Sequence, residues 1–496
     1  MGVIQRQTIK GTFYSYLGVV IGFVNLAVLS PKIFTSEQIG LTQVLMAIAT
    51  ILSQLGGLGF NNVTNRLFPY FRNRESGHNG FLSLGLLVTI AWFVISAIIL
   101  VFYLTVFEEA NRTRSALLSD YAYYIPVLLG LIMFFTLLDN FCKVLFNAVL
   151  GTFLKDFLIR VINFGLIMLF MFGLIDFNGY IFWYVISQAV PAVIIVIYLA
   201  ARGEFRLTGF RGFIDRPFLK EILNLCLYGI LAGLAGVALT NIDKYMVNNY
   251  LGLSEAGIYS IAVYFATLIL IPARSMGKIS VPVLSEAWKR NDIKEIGLIY
   301  RKSSINQYLI GLLILLGVIC NLENIFRILP PEYESGAMVI ILFSITNIIN
   351  VSSGVSQNIL GTSSLYRYIS YLMLLLIIII VLTNIILIPL YGINGAAIAA
   401  LISMFIYNGL TVLILYFKFG IWPYTFKHLV ATITGVVIFA MVSFIPSFNL
   451  IPDLLIRSGL IVIIFGSLTL LFRLSDEASG IIKVIMEMFG KKGNEG

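Results

Sequence analysis

Two adjacent ionisable residues, Asp243 and Lys244, stand in a stretch of the chain that is otherwise almost continuously apolar. At membrane depth, an ionisable side chain costs several kcal/mol unless it faces a cavity or a partner. Because neighbouring residues on a helix diverge by about 100°, these two side chains cannot face the same direction. We expect one to face a substrate cleft and the other to meet a neighbouring helix or the interface, and the order is open. Asp243 is a candidate for ion coupling, and Lys244 is a candidate substrate-binding cation.

A second polar stripe consists of Asp139, Lys143 and Asn147, which recur every four residues on a predicted helix. One interpretation is a structural ion pair between Asp139 and Lys143. The other makes Lys143 a contact for a substrate anion, with Asp139 as its partner or as a proton site for ion coupling. In that interpretation Asn147 is a candidate substrate-binding amide.

A third stripe lies on a later predicted helix and carries amide and hydroxyl side chains, namely Asn347, Asn350, Ser353 and Gln357. At an offset of 210 residues, Lys143 aligns with Ser353 and Asn147 with Gln357. Two polar stripes at matching places in two copies of a repeat favour one shared, hydrated cleft. Asn350 and Gln357 are therefore candidate substrate-binding residues.

Three further cations, Arg66, Arg274 and Lys278, fall near predicted cytoplasmic helix ends. One interpretation is anchoring, because Lys and Arg are enriched on the cytoplasmic side of membrane proteins. The alternative places them at the mouth of the cleft as substrate-binding residues, where the arginine fork suits an anionic headgroup.

The elements that position these residues follow from an unusually apolar composition. Only 11% of the 496 residues are charged and 59% are hydrophobic, whereas an ordinary soluble domain has about 25% charged residues. A spanning helix needs about 20 apolar residues, so the apolar runs predict an all-α integral membrane protein with fourteen transmembrane helices. They lie near residues 12–33, 40–62, 81–106, 122–147, 154–175, 180–200, 221–247, 256–282, 303–326, 337–361, 368–389, 393–417, 426–446 and 454–473.

The composition also excludes several classes of function. No segment outside the predicted helices is long enough for a catalytic domain, and the chain has two histidines and no zinc-ligand spacing or phosphate-binding glycine loop. We therefore expect no enzyme, no cofactor and no metal site. Basic loops beside anionic lipid account for most of the net charge of +9, so membrane lipid is an expected partner and nucleic acid is not.

The distribution of basic residues predicts the orientation of the chain. With both termini and the even-numbered connections on one side, 26 of the 33 Lys and Arg residues collect there, and Lys143 and Lys244 stay in the membrane. The opposite side receives Lys32, Arg112, Arg114, Arg327 and Arg457. Because basic loops favour the cytoplasm, we expect both termini to be cytoplasmic.

Short sequence matches at offsets between 210 and 218 residues indicate an internal duplication. They pair Ser36-Glu37 with Ser254-Glu255, Phe71-Arg72 with Trp288-Lys289, Leu150-Gly-Thr152 with Leu360-Gly-Thr362, and Asn178-Gly179 with Asn394-Gly395. Each copy would contain six helices, an even number, so the repeats enter the membrane from the same side and are parallel. This predicts two six-helix lobes around a central cleft, with two additional C-terminal helices.

We expect residues 1–210 to form the N-lobe, 211–420 the C-lobe and 421–496 the two extra helices with a cytoplasmic tail. Within the connection over residues 283–302, the stretch 285–296 is either a short amphipathic helix on the membrane surface or a solvated helical connector. Gly56-Gly57-Leu58-Gly59 has no strand before it, so a bend or a close helix contact is favoured over a nucleotide loop.

Several motifs together resemble the multidrug/oligosaccharidyl-lipid/polysaccharide exporter superfamily, and within it the Wzx-type flippases of the polysaccharide transporter family. They are Ile242-Asp-Lys244 followed by Gly252 and Ala256-Gly-Ile-Tyr-Ser260, Ile388-Pro-Leu-Tyr-Gly-Ile-Asn-Gly-Ala-Ala397, Leu58-Gly-Phe60 and Asn65-Arg66. The resemblance covers essentially the whole chain. These motifs separate the superfamily from other transporters better than they separate its branches.

The resemblance implies a flippase that moves an undecaprenyl-pyrophosphate-linked oligosaccharide, such as an O-antigen precursor, to the periplasmic leaflet of the bacterial cytoplasmic membrane. It implies alternating access, H⁺ or Na⁺ as coupling ion, and polysaccharide polymerase and chain-length machinery as partners. Lys143, Lys244 and Arg66 would contact the diphosphate.

Alternatives remain open. The same fold could serve a multidrug or small-solute cation antiporter, although the first helix carries only Asn25 where certain drug exporters have a carboxylate. A lipid II flippase is a further alternative. A membrane polymerase or ligase would need a large periplasmic loop, and the longest predicted outer loop, near residues 107–121, is too short.

Overall fold

The computed structural model describes residues 3–56, 60–111, 115–210 and 213–475. Within these ranges every regular element is helical, which confirms the predicted all-α class. The α-helices are α1 Val3–Phe23, α2 Ser30–Ile33, α3 Ser36–Gly56, α4 Phe60–Phe71, α5 Phe81–Asn111, α6 Ala116–Tyr121, α7 Tyr124–Val144, α8 Ala148–Thr152, α9 Ile159–Met171, α10 Phe177–Ser187, α11 Val190–Ala201, α12 Arg216–Leu251, α13 Leu253–Thr267, α14 Ile271–Lys289, α15 Ile293–Ile319, α16 Leu322–Ile328, α17 Ala337–Ser352, α18 Ser356–Thr362, α19 Arg367–Tyr391, α20 Ile393–Phe419, α21 Phe426–Ser443 and α22 Leu450–Leu471.

Short π-helical and 3₁₀ segments join some of these helices. The π-helical segments are Val24–Leu29 and Phe153–Leu158, and the 3₁₀ segments are His78–Gly80, Leu268–Leu270 and Pro331–Gly336. Gly57, Leu58 and Gly59 lie outside the described residues, so the predicted bend or close contact there stays a prediction.

Eleven helical stretches in the described ranges are long and apolar enough to cross a membrane. They are Phe13–Ile33, His78–Phe102, Tyr124–Val144, Phe177–Ala201, Leu253–Arg274, Ile293–Ile319, Pro331–Ser352, Arg367–Tyr391, Ile393–Phe419, Phe426–Ser443 and Leu450–Leu471. The other three expected spans are also helical, in α3, α9 and α12. The protein is thus a multi-pass membrane protein, and the expected fourteen spans are consistent with the helices observed.

Two compact units divide the chain. The first comprises Met1–Ile261 with Ile377–Ala396, and the second comprises Ala262–Leu376 with Ala397–Gly496. The first unit has an aromatic core that includes Phe60, Phe68, Phe71, Phe81 and Phe141. The second has an aliphatic core where α15, α21 and α22 meet, including Leu309, Leu312, Ile438, Ile461 and Phe465. The lobe boundaries at residues 210 and 420 stay a prediction.

Helices α3 and α13 cross each other closely within the first unit. Each contains, in its first turn, one copy of the repeated Ser-Glu sequence. A Cβ atom at Gly40 would overlap the carbonyl oxygen of Leu253, and one at Gly257 would overlap the carbonyl oxygen of Ser36. The hydroxyl oxygens of Ser36 and Ser254 lie 2.7 Å apart in a hydrogen bond. The Gly40–Leu253 contact becomes the Gly257–Ser36 contact when each copy is shifted by 217 residues. This is the reciprocal pattern of a two-fold interface.

Two predicted helices are interrupted at matching positions. The span predicted over 122–147 ends at Val144 with α7, and the span predicted over 337–361 breaks between α17 and α18. Both breaks contain a residue in left-handed backbone conformation, Phe146 at φ 64° and Gly354 at φ 57°. The two interruptions precede the matched Leu-Gly-Thr segments, as the predicted duplication would require.

The connection over residues 283–302 agrees with the solvated helical connector and not with a separate surface helix. Helix α14 continues to Lys289, Asn291 turns the chain at φ 54°, and α15 begins at Ile293. The expectation of a separate amphipathic helix over 285–296 is wrong, because the two long helices extend through the segment and meet at a tight turn.

Two arginines that were counted with the residues on the two sides of the membrane lie on helices, inside the predicted spans 154–175 and 454–473. Arg160 lies on α9, where Nη1 donates to the carbonyl oxygen of Gly18, 2.6 Å away, and its own carbonyl accepts from Asn25 Nδ2 at 2.7 Å. Arg457 is buried on α22, with Nε 2.9 Å from Asp453 Oδ2. Hydropathy predicts these helices but not the partners that satisfy the two guanidinium groups, which are distant in sequence or one helical turn away.

Candidate functional site

Asp243 is a buried carboxylate held by neutral donors from two other helices. Asn384 Nδ2 on α19 donates to its Oδ1 at 2.7 Å, and the Tyr259 hydroxyl on α13 donates to its Oδ2 at 3.0 Å. Asp243 is only 4% exposed, and Asn384 Oδ1 is buried without a hydrogen-bond partner among the described residues. Buried polar groups are normally paired, so this cluster has unused acceptor capacity for a proton or a cation.

Sequence reasoning selected Asp243 but missed both of its partners. Asn384 is a lone amide inside the apolar run of α19, so the search for polar groups at membrane depth could have found it. Tyr259 gave no such signal, because tyrosine is common throughout this chain.

Lys244 contacts a different neighbour from Asp243, as expected for adjacent residues that diverge by about 100° on a helix. Its Nζ donates to Gln43 Oε1 on α3 at 2.9 Å, and the side chain is half-buried. One helical turn further on, Asn248 accepts a hydrogen bond from Ser115 at 3.0 Å. Because Gln43 is neutral, its hydrogen bond orients Lys244 without cancelling the positive charge.

Asp139 and Lys143 form the ion pair that one sequence interpretation proposed. Lys143 Nζ lies 2.5 Å from Asp139 Oδ2, and the side chains are 42% and 13% exposed. The other carboxylate oxygen packs against Gly151, where a Cβ atom would overlap it. The glycine of the Leu150-Gly-Thr152 motif is therefore required for this carboxylate to fit, while half of the lysine stays exposed.

Asn147 does not belong to the helical stripe in which the sequence placed it. It follows the break after α7 and caps α8, because Oδ1 accepts from the Leu150 backbone N–H at 3.4 Å. Its Nδ2 donates to the Tyr198 hydroxyl at 2.7 Å. Since polar side chains at N-caps satisfy free backbone donors, this contact gives Asn147 a local structural role.

Arg72 supports the same break. In the sequence it drew notice only through the match of Phe71-Arg72 with Trp288-Lys289, which gave no indication of this role. Its Nη2 donates to the carbonyl oxygen of Val144 at 2.6 Å, at the C-terminus of α7. The guanidinium also lies over the rings of Phe68 at 5.3 Å and Phe146 at 4.6 Å. A cation at a helix C-terminus is favourable, so Arg72 stabilises the interruption.

The second unit contains a polar cavity of about 220 Å³. It brings together three of the candidate residues, Arg274, Asn350 and Gln357. Its full lining is Leu270, Ala273, Arg274, Gly277, Gln307, Asn350, Val351, Gly354, Val355, Gln357 and Asn358. Gln307 and Asn358 add two amides that the sequence did not single out.

The break between α17 and α18 builds one wall of this cavity. Asn350 precedes the break and Gln357 follows it, so the interruption brings two amides to the same space. Asn358 fixes α18 to α14, because its Nδ2 donates to the Gly277 carbonyl at 3.1 Å and to Ser280 Oγ at 3.0 Å.

The remaining members of that stripe turn away from the cavity. Asn347 is buried and donates to the carbonyl oxygen of Ala266 at 2.9 Å. Ser353 is also buried, with Oγ 2.7 Å from the Asn350 carbonyl and 3.0 Å from Asn408 Oδ1. The expectation of one continuous polar stripe is wrong, because the helix is interrupted between α17 and α18 and only Asn350 and Gln357 of the four line the cavity.

Arg66 and Lys278 are the other two candidate cations near predicted cytoplasmic helix ends. Arg66 is exposed on α4 in the first unit. Lys278 lies on α14, one turn after Arg274, and its side chain is outside the described part of the chain.

The family is shown by a sequence model described as polysaccharide biosynthesis protein, which matches residues 8–288, more than half of the chain. The chain belongs to the polysaccharide biosynthesis protein family. This family member is also 21% identical over 428 residues to an uncharacterized membrane protein of Methanocaldococcus jannaschii, covering 81% of this chain and 82% of the relative.

Solved structures establish the fold of this family member. The lipid II flippase MurJ, in an inward closed conformation, superposes with a TM-score of 0.72 at 14% identity over 94% of this chain and 98% of that chain. An inward-facing multidrug resistance MATE family transporter gives 0.62 at 14% identity, covering 82% and 94%. A MOP superfamily transporter from Pyrococcus furiosus gives 0.55 at 15% identity, covering 84% and 95%. These likenesses show the fold, the family match supports the resemblance to polysaccharide transporters, and the Wzx-type branch stays a prediction.

Proposed function

We propose that this family member is a flippase for a polyprenyl-diphosphate-linked oligosaccharide, with undecaprenyl as the carrier, working by alternating access. The observation that carries the proposal is the cavity of the second unit, where Arg274 lies with Gln307, Asn350, Gln357 and Asn358. This combination of one cation and several amides suits an anionic, hydroxyl-rich ligand.

The chemistry of these side chains supports the substrate class. A guanidinium presents paired donors that match phosphate geometry, and amide side chains both donate to and accept from sugar hydroxyls. A diphosphate crossing a membrane needs such partners, whereas a polyprenyl tail can remain in lipid. Lys244, Lys143 and Arg66 are further candidate cations, and Lys244 is favoured because its described acceptor, Gln43, is neutral.

The location and partners form part of the same proposal. We place the protein in the bacterial cytoplasmic membrane with both termini in the cytoplasm, moving substrate toward the periplasmic leaflet. Asp243 would couple transport to H⁺ or Na⁺. Polysaccharide polymerase and chain-length machinery would use the product, as a surface polysaccharide such as O-antigen requires.

The proposal is tested by Arg274→Ala and Gln357→Ala in proteoliposomes that contain a lipid-linked oligosaccharide. Hydrogen bonds to charged groups contribute about 1.5–3 kcal/mol, so Arg274→Ala should weaken substrate binding roughly tenfold or more. Gln357→Ala should have a smaller effect in the same direction. The measurements are substrate Kd and the rate of appearance in the opposite leaflet.

Arg290→Ala is the matched control. Arg290 pairs with Glu295 at 2.6 Å in the exposed turn after α14, away from the cavity lining. It should bind and transport as the unsubstituted protein does. Unchanged transport in the Arg274→Ala, Gln357→Ala double variant would contradict the assignment of this cavity to substrate.

Lipid II is the second candidate substrate, favoured by the likeness to the flippase MurJ. It shares the polyprenyl diphosphate and differs in the attached glycan. Competition between lipid II and a lipid-linked oligosaccharide without peptide separates the two, because the preferred substrate should inhibit transport of the other at lower concentration. A cation antiporter is less favoured, since the cavity contains an arginine and no carboxylate.

A further inference from the structure

A separate apolar groove of about 160 Å³ lies in the first unit, on α3, α5 and α12. Its lining residues are Ile48, Ile51, Leu52, Ile99, Leu100 and Tyr245. The three residues from α3 are spaced at three and four positions, so they form one face of that helix. No lining side chain is charged, which makes the groove a site for hydrocarbon.

A cation lies on one of the helices that line the groove. Lys244 directly precedes Tyr245 on α12, and its Nζ is held by Gln43 on α3. Gln43 lies five residues before Ile48, which is about 7.5 Å along a helix axis. Two of the helices that line the groove therefore also carry a cation, within a few residues of the apolar lining.

The outer side of the groove is formed by a helix whose exposed surface is hydrocarbon. Ile99, which lines the groove, is 53% exposed, and Ile95, Ile98 and Phe102 on the same helix are 41%, 64% and 71% exposed. In a membrane protein such surfaces face lipid tails. A chain could therefore enter the groove laterally from the bilayer while its headgroup reached Lys244.

We propose that this groove binds the isoprene units nearest the diphosphate of the polyprenyl carrier, with Lys244 contacting the diphosphate. The inference rests on the proposed function and adds a tail-binding site to it. Its role is to fix the carrier at the head–tail junction, so that the diphosphate is presented while the rest of the tail remains in lipid.

The test compares binding of farnesyl diphosphate and inorganic pyrophosphate to the full chain in phosphatidylcholine nanodiscs. Farnesyl diphosphate should bind at least tenfold more tightly than pyrophosphate, because its prenyl chain packs in the groove in addition to the contact of its diphosphate with Lys244. Leu52→Trp and Ile51→Trp fill the groove. They should remove that advantage while changing the pyrophosphate Kd by no more than about twofold, which also shows that the variants are folded.

Ile98→Trp is the matched control, because Ile98 is on α5, exposed, and outside the groove lining. It should retain the full preference for farnesyl diphosphate. The groove assignment is overturned if Leu52→Trp also retains it, or if farnesyl diphosphate and pyrophosphate bind equally to the unsubstituted protein. It is likewise overturned if phosphatidylglycerol nanodiscs abolish the preference, because an ordinary phospholipid would then be the occupant.

These outcomes are distinct from failure of the proposed function. If the unsubstituted protein binds pyrophosphate and moves a lipid-linked oligosaccharide but shows no prenyl preference, only the tail site is wrong. If it neither binds pyrophosphate nor moves the oligosaccharide, the flippase proposal itself is wrong and the tail site fails with it.

Discussion

The two candidate ion-coupling residues have different surroundings. Asp139 Oδ2 lies 2.5 Å from Lys143 Nζ, so neutralising the carboxylate would leave the lysine without this ion-pair partner. Asp243 is instead hydrogen-bonded to Asn384 and Tyr259, which are both neutral. A buried carboxylate among neutral donors can exchange a proton or a cation without disrupting an ion pair. Within the proposed function, Asp243 is therefore the better candidate for coupling, and Asp139 has a structural ion pair.

Asp243→Asn should remove the dependence of transport on an ion gradient. The amide is nearly isosteric, and its oxygen still accepts one hydrogen bond, but it carries no charge and takes up no proton. In proteoliposomes, we expect loss of gradient-stimulated transport with substrate Kd changed by about twofold or less. The measurement is the transport rate with and without imposed H⁺ or Na⁺ gradients.

Asp139→Asn serves as the comparison for this experiment. It should keep gradient stimulation, since its partner Lys143 is already 42% exposed and can be solvated. Full stimulation in Asp243→Asn, or loss only in Asp139→Asn, would assign coupling elsewhere.

At the scale of elements, the matching helix breaks decide where the candidate side chains lie. After α7, the break is supported by Asn147 and Arg72. After α17, it is supported by Gly354 in left-handed conformation and by Ser303, whose Oγ accepts from the Val355 N–H at 3.3 Å. Interrupted helices are a recurrent means of forming binding sites in transporters with internal repeats.

Gly354→Ala should destabilise the protein. A left-handed conformation costs a residue with a Cβ roughly 1–2 kcal/mol, and a Cβ here would lie 2.8 Å from both Ser303 Oγ and the Ser304 nitrogen. Thermal unfolding in detergent should therefore begin at a lower temperature than in the unsubstituted protein.

Gly317→Ala provides the control within α15. A Cβ at this position meets nothing within 4 Å, and alanine favours a helix over glycine by about 1 kcal/mol. Its unfolding temperature should be unchanged or higher. Equal effects of the two substitutions would show that the backbone at Gly354 is not under this constraint.

At the scale of the molecule, the α3–α13 crossing joins the two copies of the repeat through their own duplicated turns. Gly40 and Gly257 let the helix backbones touch, and Ser36 and Ser254 are hydrogen-bonded across the crossing. If the two copies of the repeat move apart in the transport cycle proposed above, this contact between them would have to open.

The Ser36→Cys, Ser254→Cys double variant tests whether this crossing opens. The two hydroxyl oxygens are 2.7 Å apart, so thiols at these positions should oxidise to a disulfide. We expect oxidation to stop transport and a reductant to restore it. Each single variant should be insensitive to oxidant, and full transport by the oxidised double variant would show that the crossing stays closed throughout the cycle.

Composition and periodicity were sufficient to predict the membrane class, the helices and the internal repeat. These properties depend on hydropathy and local spacing, which are present in the chain itself. The polar residues at membrane depth were also identifiable, because their cost marks them wherever they occur. Of the ten candidate site residues, Arg274, Asn350 and Gln357 meet in one cavity.

Long-range contacts determined which groups the candidate side chains bind. Asp243 and Lys244 are neighbours in sequence, yet Asn384 and Tyr259 hold the first and Gln43 holds the second. The partners of a buried polar group come from wherever the packing brings a donor or acceptor, and no local pattern encodes that choice. For the same reason the break of three residues after α7 moved Asn147 out of its predicted stripe, since the left-handed residue Phe146 redirects the side chain that follows it.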